Sequence, residues 1–280
     1  AVNDIRNGLV KVAVVGVAES GVDPRVIDGY YTMGALASDA ELLKLDAEKG
    51  LTEPDYRRAS RPFSSNCGFT ISESSQFIVL FDDELALQLG AQIHGSVADV
   101  FTNADGYKKS ISSPGIGNYL TMAKAVAAAA GIIGDKAIKT RSFVQSHGTS
   151  TPQNRVTESH ILNETAKIFG IENWPVAAIK AYIGHSVGAA SGDQLIASLG
   201  IWHDNILPGI ATIDHIADDV HQSHLRLQKE HMGFEPDSFD VAILNAKGFG
   251  GNNASVALLS PMLSEKMLKG RHGNQVWQSY

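Results

Sequence analysis

Cysteine is almost missing from this chain. Cys67 stands alone in 280 residues, so no disulfide can form within it. A single thiol fits a reducing, cytoplasmic setting. Long apolar runs are missing too. The longest, around Ala125 to Ile133, falls short of the about 20 residues that cross a bilayer, so no membrane association is expected. The opening Ala-Val-Asn-Asp leads into no apolar signal segment. Low-complexity stretches and short repeats are absent. Positive charge is in deficit: 23 Lys and Arg against 30 Asp and Glu give a net charge of −7. That balance argues against nucleic acid as a partner and leaves room for a local basic patch.

What remains is a globular chain with a 44% hydrophobic fraction and a length near two domains at about 150 residues each. Ala1 to Leu9 reads as the tail of a helix that begins before this chain. Val10 to Val17 is nearly all apolar and reads as a central strand covered on both faces. Val26 to Ala37 reads as a helix, Asp39 to Pro62 as a surface excursion and Phe69 to Leu80 as a long strand. A short helix over Asp82 to Leu89, a strand over Ala91 to Phe101 and a loop over Asn103 to Gly117, with Pro114 inside it, come next. Helices are expected over Asn118 to Gly131, Asn154 to Phe169 and Ser186 to His203, with strands over Arg141 to Ser146 and Val176 to Ile183. Asp240 to Ala246 and Ala254 to Leu259 read as an antiparallel pair, and Met262 to Tyr280 as a polar tail. Strands alternating with helices indicate an α/β fold with mixed sheets.

Three stretches carry chemistry, each at the end of an apolar run. In open α/β sheets, sites collect at the carboxyl ends of strands. The first stretch is Ser146-His147-Gly148-Thr149-Ser150-Thr151-Pro152, an imidazole beside a glycine and three hydroxyls. The second is Lys180-Ala181-Tyr182-Ile183-Gly184-His185. Lys180 sits in an apolar run, so its ammonium needs a partner, and Glu158 on the neighbouring helix is the natural one. The third is Gly248-Phe249-Gly250-Gly251-Asn252-Asn253, a tight turn that presents Phe249. Each also admits a plain reading: a histidine satisfied by backbone, a structural ion pair, a hairpin turn. Gly184-His185-Ser186-Val187-Gly188 spells the serine nucleophile elbow, between a strand and a helix. Asp214, His215, Asp218, Asp219, His221, His224 and His231 could complete it. Catalytic cysteines need a helix N-terminus or a cationic neighbour; Cys67 sits just before an apparent strand and reads as structural or incidental.

Taken in order, the stretches resemble the β-ketoacyl-acyl-carrier-protein synthases of thiolase fold, with their H-G-T-S-T-P, K-x-x-x-G-H and G-F-G-G-x-N motifs. Glu158 falls on the family's glutamate, and Ser60-Arg61-Pro62-Phe63 matches its R-P-F segment. His147-Gly148-Thr149-Ser150-Thr151-Pro152-Gln153-Asn154-Arg155 is most similar to the divergent, FabY-like elongating synthases.

The resemblance implies a layered α-β-α fold. Residues 1–131 would end an N-terminal half with insertions, 132–261 would form the C-terminal half, and 262–280 the tail. It implies decarboxylative condensation of malonyl carrier with an acyl thioester in fatty acid biosynthesis. His147 and His185 would bind the malonyl thioester oxygen, and Lys180 with Glu158 would set their field. Thr149, Thr151 and Gly250 would meet the pantetheine arm, and Phe249 would gate the site. No cofactor and no metal are implied. The partners would be acyl carrier protein and a second copy of the chain, with Lys136, Lys139, Arg141 and Arg155 as docking candidates.

The sequence departs from the family in three places. Ser72-Glu73-Ser74-Ser75-Gln76 replaces G-E-G-A-G, Arg155-Val156 replaces an acid-lysine pair, and Lys247 replaces an apolar residue. The family's nucleophilic cysteine would precede Ala1. Two other functions stay open: a serine hydrolase or acyltransferase using Ser186, and a non-catalytic synthase-like subunit.

Overall fold

The computed structural model describes residues 1–107 and 115–280. Of the loop expected over 103–117, residues 108–114, Pro114 among them, lie outside the described residues. The chain opens with α1 (Val2–Arg6), β1 (Val12–Ser20), α2 (Pro24–Thr32) and α3 (Asp39–Ala47). Asp23 and Ser38 cap α2 and α3 through side-chain oxygens that accept backbone N–H groups. β2 (Glu73–Phe81), α4 (Asp83–Gln88), β3 (Ser96–Ala104) and α5 (Ile116–Ile133) follow. After them come α6 (Asp135–Ile138), β4 (Ser142–Gln145), α7 (Pro152–Phe169), β5 (Trp174–Ala177), α8 (Lys180–Ile183) and α9 (Ala190–Asp204). The chain ends with β6 (Ile206–Leu207), β7 (Leu225–Arg226), β8 (Met232–Gly233), β9 (Val241–Gly248), β10 (Asn252–Leu259) and α10 (Pro261–Ser279).

Six strands form one mixed sheet in the order β3-β10-β9-β4-β5-β7. β4 runs parallel to β5 and β9, while β10 is antiparallel to β9 and β3. Its central strands are apolar on both faces because both are covered. Val144, Val176, Val241 and Ile243 point to the side where α5 and α7 bring Met122, Val126, Ile161 and Leu162. Phe143, Ala177, Ala242 and Leu244 point to the side where α9 brings Ile201. The two-residue period of a strand sorts these neighbours to opposite faces. The result is the expected α-β-α layering. β3, which precedes residue 131, forms the sheet's edge beside β10. α5 is the one described helix long and apolar enough to cross a bilayer by length and composition. Its buried stripe of Met122, Ala125, Val126 and Ala129 faces the sheet and accounts for that composition.

Several elements depart from expectation. Val10 to Val17 is not a central strand: β1 pairs only with β2, in a separate antiparallel sheet, and Val14 is 69% exposed. Apolarity reports a need for cover and does not name the covering partner. The other side of this pair meets the start of α9, where a Cβ on Gly192 would fall 2.8 Å from the Gln76 side chain, so only glycine permits the approach.

The strand expected over Val176 to Ile183 stops at Ala177, and its second half is the single turn α8. The expected surface excursion over Asp39 to Pro62 is partly interior, with Asp46 and Arg61 forming a buried ion pair at 2.5 Å. The polar tail is the helix α10, bent at Gly273 and held to α4 by Arg271 and His272 on Asp83 at 2.9 and 3.0 Å. A polar helix with little apolar periodicity leaves no pattern to read.

Candidate active site

The carboxyl ends of β4, β5 and β9 converge, and the loop after β4 carries His147. Ser146 pins this loop to β5, donating from N–H and from Oγ to Ala177 O at 2.9 and 2.8 Å. Gly148 then turns with φ of 54°, where a Cβ would stand 2.7 Å from Ser146 Oγ. Pro152 opens α7, and Glu158, on its second turn, reaches back to the loop. Its carboxylate accepts four hydrogen bonds. They come from His147 N–H (2.7 Å), Gly148 N–H (2.8 Å), Asn154 Nδ2 (2.8 Å) and Asn245 Nδ2 (2.8 Å). A fully buried carboxylate is tolerable because charge-assisted donors surround it.

Lys180 completes the grip, and it differs from expectation. Its Nζ donates to the carbonyl oxygen of His147 at 2.6 Å. The described structure holds no ion-pair contact between Lys180 and Glu158; Glu158 acts on the ammonium through its charge. Burial is the larger effect and brings Lys180 down to about 8, with the charges of Glu158 and Asp193 opposing. The reason is the fold: α8 turns the lysine toward the His147 loop, which a straight strand would not do.

His185 follows Gly184, whose φ is 72° and whose Cβ, if present, would strike Thr70 O at 2.8 Å. Its own N–H donates to that oxygen at 2.7 Å. The ring meets Phe69 edge-on, with centroids 5.1 Å apart. The two imidazoles stand 5.3 Å apart, centroid to centroid, at 85°. Backbone N–H groups point at both Nδ1 atoms: Val187 N–H at His185 (3.1 Å) and Lys247 N–H at His147 (3.4 Å). An N–H can only donate, so each Nδ1 accepts and each neutral ring carries its proton on Nε2. Desolvation, then the Lys180 charge, then His185 and Lys247, hold His147 well below the ordinary histidine range. Desolvation, then Lys180, bring His185 to about 3. The site therefore presents two neutral N–H donors to one cavity of about 340 Å³.

Thr149 and Thr151 line that cavity with hydroxyls 3.2 Å apart. Phe249 lines it from the β9–β10 turn, half exposed, and its ring lies 6.0 Å from Tyr30, which in turn meets Phe69 at 5.2 Å. Gly250, expected against substrate, lies outside the lining; at φ of 86° it shapes the turn. Sequence reasoning missed Asn245 and Asn118. Asn118 Nδ2 donates to Asn245 Oδ1 at 2.6 Å, and Asn245 holds Glu158. The available signal for Asn245 was an amide toward the end of an apolar strand; Asn118, in the first turn of α5, carried none. Lys247 also lines the cavity, its Nζ donating to Thr157 Oγ1 at 3.1 Å.

The serine-elbow reading does not survive. Ser186 is fully buried, its Oγ donates to the Asp193 carboxylate, and among the described residues no histidine hydrogen-bonds to its hydroxyl. Its φ of −84° is ordinary backbone, without the strain of an elbow. Cys67 is absent from the cavity wall, and burial raises its thiol. Three docking candidates fall badly: Lys136, Lys139 and Arg141 lie at or before the amino end of β4, whereas the cavity lies beyond its carboxyl end. Arg141 is paired with Asp240 at 2.5 Å. Arg155 is nearer the cavity and clasps Asp219 through two bonds of 2.8 Å.

Residues 94–214 match the family model for the C-terminal domain of β-ketoacyl synthases, a span that includes His147, Glu158, Lys180 and His185. The chain is 55% identical over 276 residues to the β-ketoacyl-[acyl-carrier-protein] synthase FabY of Pseudomonas aeruginosa, covering 99% of this chain and 43% of that protein. It is 27% identical over 256 residues to a 3-oxoacyl-[acyl-carrier-protein] synthase 2 of Synechocystis sp., covering 90% and 56%. The crystal structure of the noncanonical ketosynthase FabY from P. aeruginosa superposes with a TM-score of 0.96, over 99% of this chain and 43% of that one. The layered fold is thus the thiolase-like one, and the chain spans about half the length of the relatives it matches.

Proposed function

Because this chain belongs to the β-ketoacyl synthase family and is FabY-like along 99% of its length, we propose that it forms the decarboxylating part of a β-ketoacyl-acyl-carrier-protein synthase. Malonyl thioester enters the cavity with its carbonyl oxygen toward the two Nε2–H groups. As carbon dioxide leaves, negative charge grows on that oxygen. Donors aimed there hold the enolate more tightly than the ground state. The enolate carbon then bonds to the carbonyl carbon of an acyl thioester, the carbon–sulfur bond breaks, and the free thiolate leaves. Neutral imidazoles suit this task, because an imidazolium could protonate the enolate early. The observation that carries the reading is the orthogonal pair of rings, 5.3 Å apart on one cavity with both Nδ1 atoms occupied by backbone donors.

The remaining roles follow from position. Glu158 and Lys180 hold the His147 peptide, Thr149 and Thr151 receive the amide-bearing arm of an acyl carrier protein, and Phe249 swings on its glycine turn to admit the acyl partner. Among the described residues no thiol lines the cavity, so the acyl-accepting cysteine is assigned to the part of a full-length synthase that this chain does not span. The same feature supports a second reading, a subunit that shapes a partner's site without a nucleophile of its own. The working protein is a cytoplasmic homodimer in fatty acid biosynthesis. The test uses the full-length protein. His147→Ala and His185→Ala should each slow malonyl decarboxylation about 100-fold and leave acyl transfer to the nucleophile intact. Decarboxylation at the wild-type rate in either variant would remove that histidine from the role.

A further inference from the structure

A second constellation lies apart from the two-histidine cavity. His215 Nδ1 faces Asp214 Oδ1 at 2.6 Å, and His215 Nε2 faces Ser65 Oγ at 2.9 Å. A carboxylate only accepts, so in the neutral ring Nδ1 carries the proton and Nε2 turns a lone pair to the serine hydroxyl. That is the tautomer a general base requires. We propose that Ser65, His215 and Asp214 form a second, solvent-facing catalytic triad that accepts acyl groups from activated esters, thioesters included, and releases them to water.

The surroundings suit the task. Ser65 is half-buried, and the side chains of His215 and Asp214 are 47% and 42% exposed, so a substrate can reach them. The strap carrying Ser65 is fixed on both sides. Phe63 O accepts from Ala217 N–H at 3.0 Å, which ties the strap to the His215 loop. Arg155 donates to Asn66 Oδ1 at 3.1 Å, and Asn66 donates to Arg61 O at 3.0 Å. The N–H groups of Asn66 and Cys67 meet no acceptor among the described residues. The residue after a nucleophile commonly supplies such a donor to the developing oxyanion. The second carboxylate oxygen of Asp214 is occupied by Lys49 and by Arg58 at 3.0 Å, leaving Oδ1 for the histidine. Those cations also draw charge from the carboxylate, so the triad should be slower than one with an unshared acid.

The steps balance without a co-reactant other than water. Ser65 Oγ bonds to the acyl carbon and its proton passes to His215 Nε2. The carbon–sulfur or carbon–oxygen bond to the leaving group breaks, and that group takes the proton. Water then attacks the serine ester, gives a proton to His215, and Ser65 regains its own as the carboxylic acid departs. The inference is independent of the condensing role.

A fluorophosphonate probe on the whole chain tests it, read by peptide mass, with p-nitrophenyl acetate hydrolysis beside it. Labelling should fall on Ser65, vanish in Ser65→Ala, and slow about 100-fold in His215→Gln. Ser186→Ala should label like the wild type. No label on the wild-type chain, a label elsewhere, or an equally labelled and equally hydrolytic Ser65→Ala would overturn it. Ser65→Ala removes only a half-buried hydroxyl, and an unchanged melting curve shows that lost labelling is lost chemistry.

Discussion

Lys180 and His147 meet through a side chain and a backbone: the ammonium donates to the carbonyl oxygen at 2.6 Å, while Glu158 takes the N–H of the same residue at 2.7 Å. The imidazole is aimed by its own peptide, clamped from both ends by opposite charges. The chemistry of the ring and the fixation of its backbone are therefore separable by mutation.

Lys180→Met should leave the imidazole present but loosely aimed. In the full-length protein, kcat for malonyl decarboxylation should fall 10- to 100-fold with KM little changed. The melting temperature should fall, because Glu158 stays buried without the opposing ammonium and the His147 carbonyl loses its donor. Steady-state kinetics and a thermal melt check this together, and a change confined to KM would contradict it.

Glu158→Gln should act on stability. The carboxylate accepts four hydrogen bonds, and the amide nitrogen of glutamine would turn donor toward donor at two of them. A loss of about 3 kcal/mol or more is expected from the stranded N–H groups. The midpoint of urea unfolding measures it.

The histidines set the acid limb of stability. His185 titrates near 3 in the fold and near 6.5 when unfolded, and His147 shifts the same way. Between those values the unfolded chain binds more protons, so the stability these groups confer is whole above pH 6.5 and drains as pH falls toward 3. Lys180 titrates near 8 in the fold against 10.5 in the open chain. Its burial penalty is full below pH 8 and eases as pH rises toward 10.5. Decarboxylation should run flat through pH 6.5 and decline above pH 8 as Lys180 discharges, a limb that Lys180→Met should lack. A break at 6.5 in the wild-type profile would contradict the neutral-donor assignment.

Two neighbouring glycines should separate strain from collision. Gly250 has φ of 86° and open space around it, whereas Gly251 has φ of 94° and a Cβ there would stand 2.8 Å from the Asp105 side chain. Gly250→Ala should cost about 1 kcal/mol, the price of a left-handed alanine. Gly251→Ala should cost distinctly more, because the turn must also move. Thermal unfolding of both variants gives the comparison.

Much of the site was legible in the chain because its chemistry is local. His147-Gly148-Thr149-Ser150-Thr151-Pro152 fixes a strand end, a turn and a helix start within six positions, since glycine, hydroxyls and proline each constrain their own backbone. An α/β fold with mixed sheets was legible because strands alternate with helices along the chain, while the layering was implied by the family resemblance. Asn245 and Asn118 were not legible, because an amide in an apolar strand or in the first turn of a helix does not say which distant group it serves. Nor was the place of Val12 to Val15, whose apolarity fits a central strand and an outlying pair equally well.

The sequence by itself determined which groups exist and which short turns hold them: two imidazoles each beside a glycine, a lysine five residues before the second, an aromatic on a glycine hairpin. Tertiary structure alone decided how they were joined. It sent Lys180 to a carbonyl instead of to Glu158, gave the Ser186 hydroxyl to Asp193, and brought His215 to Ser65 across 150 positions. A hydrogen bond depends on direction over about 3 Å, and directions between distant segments are fixed only when helices and sheet pack together.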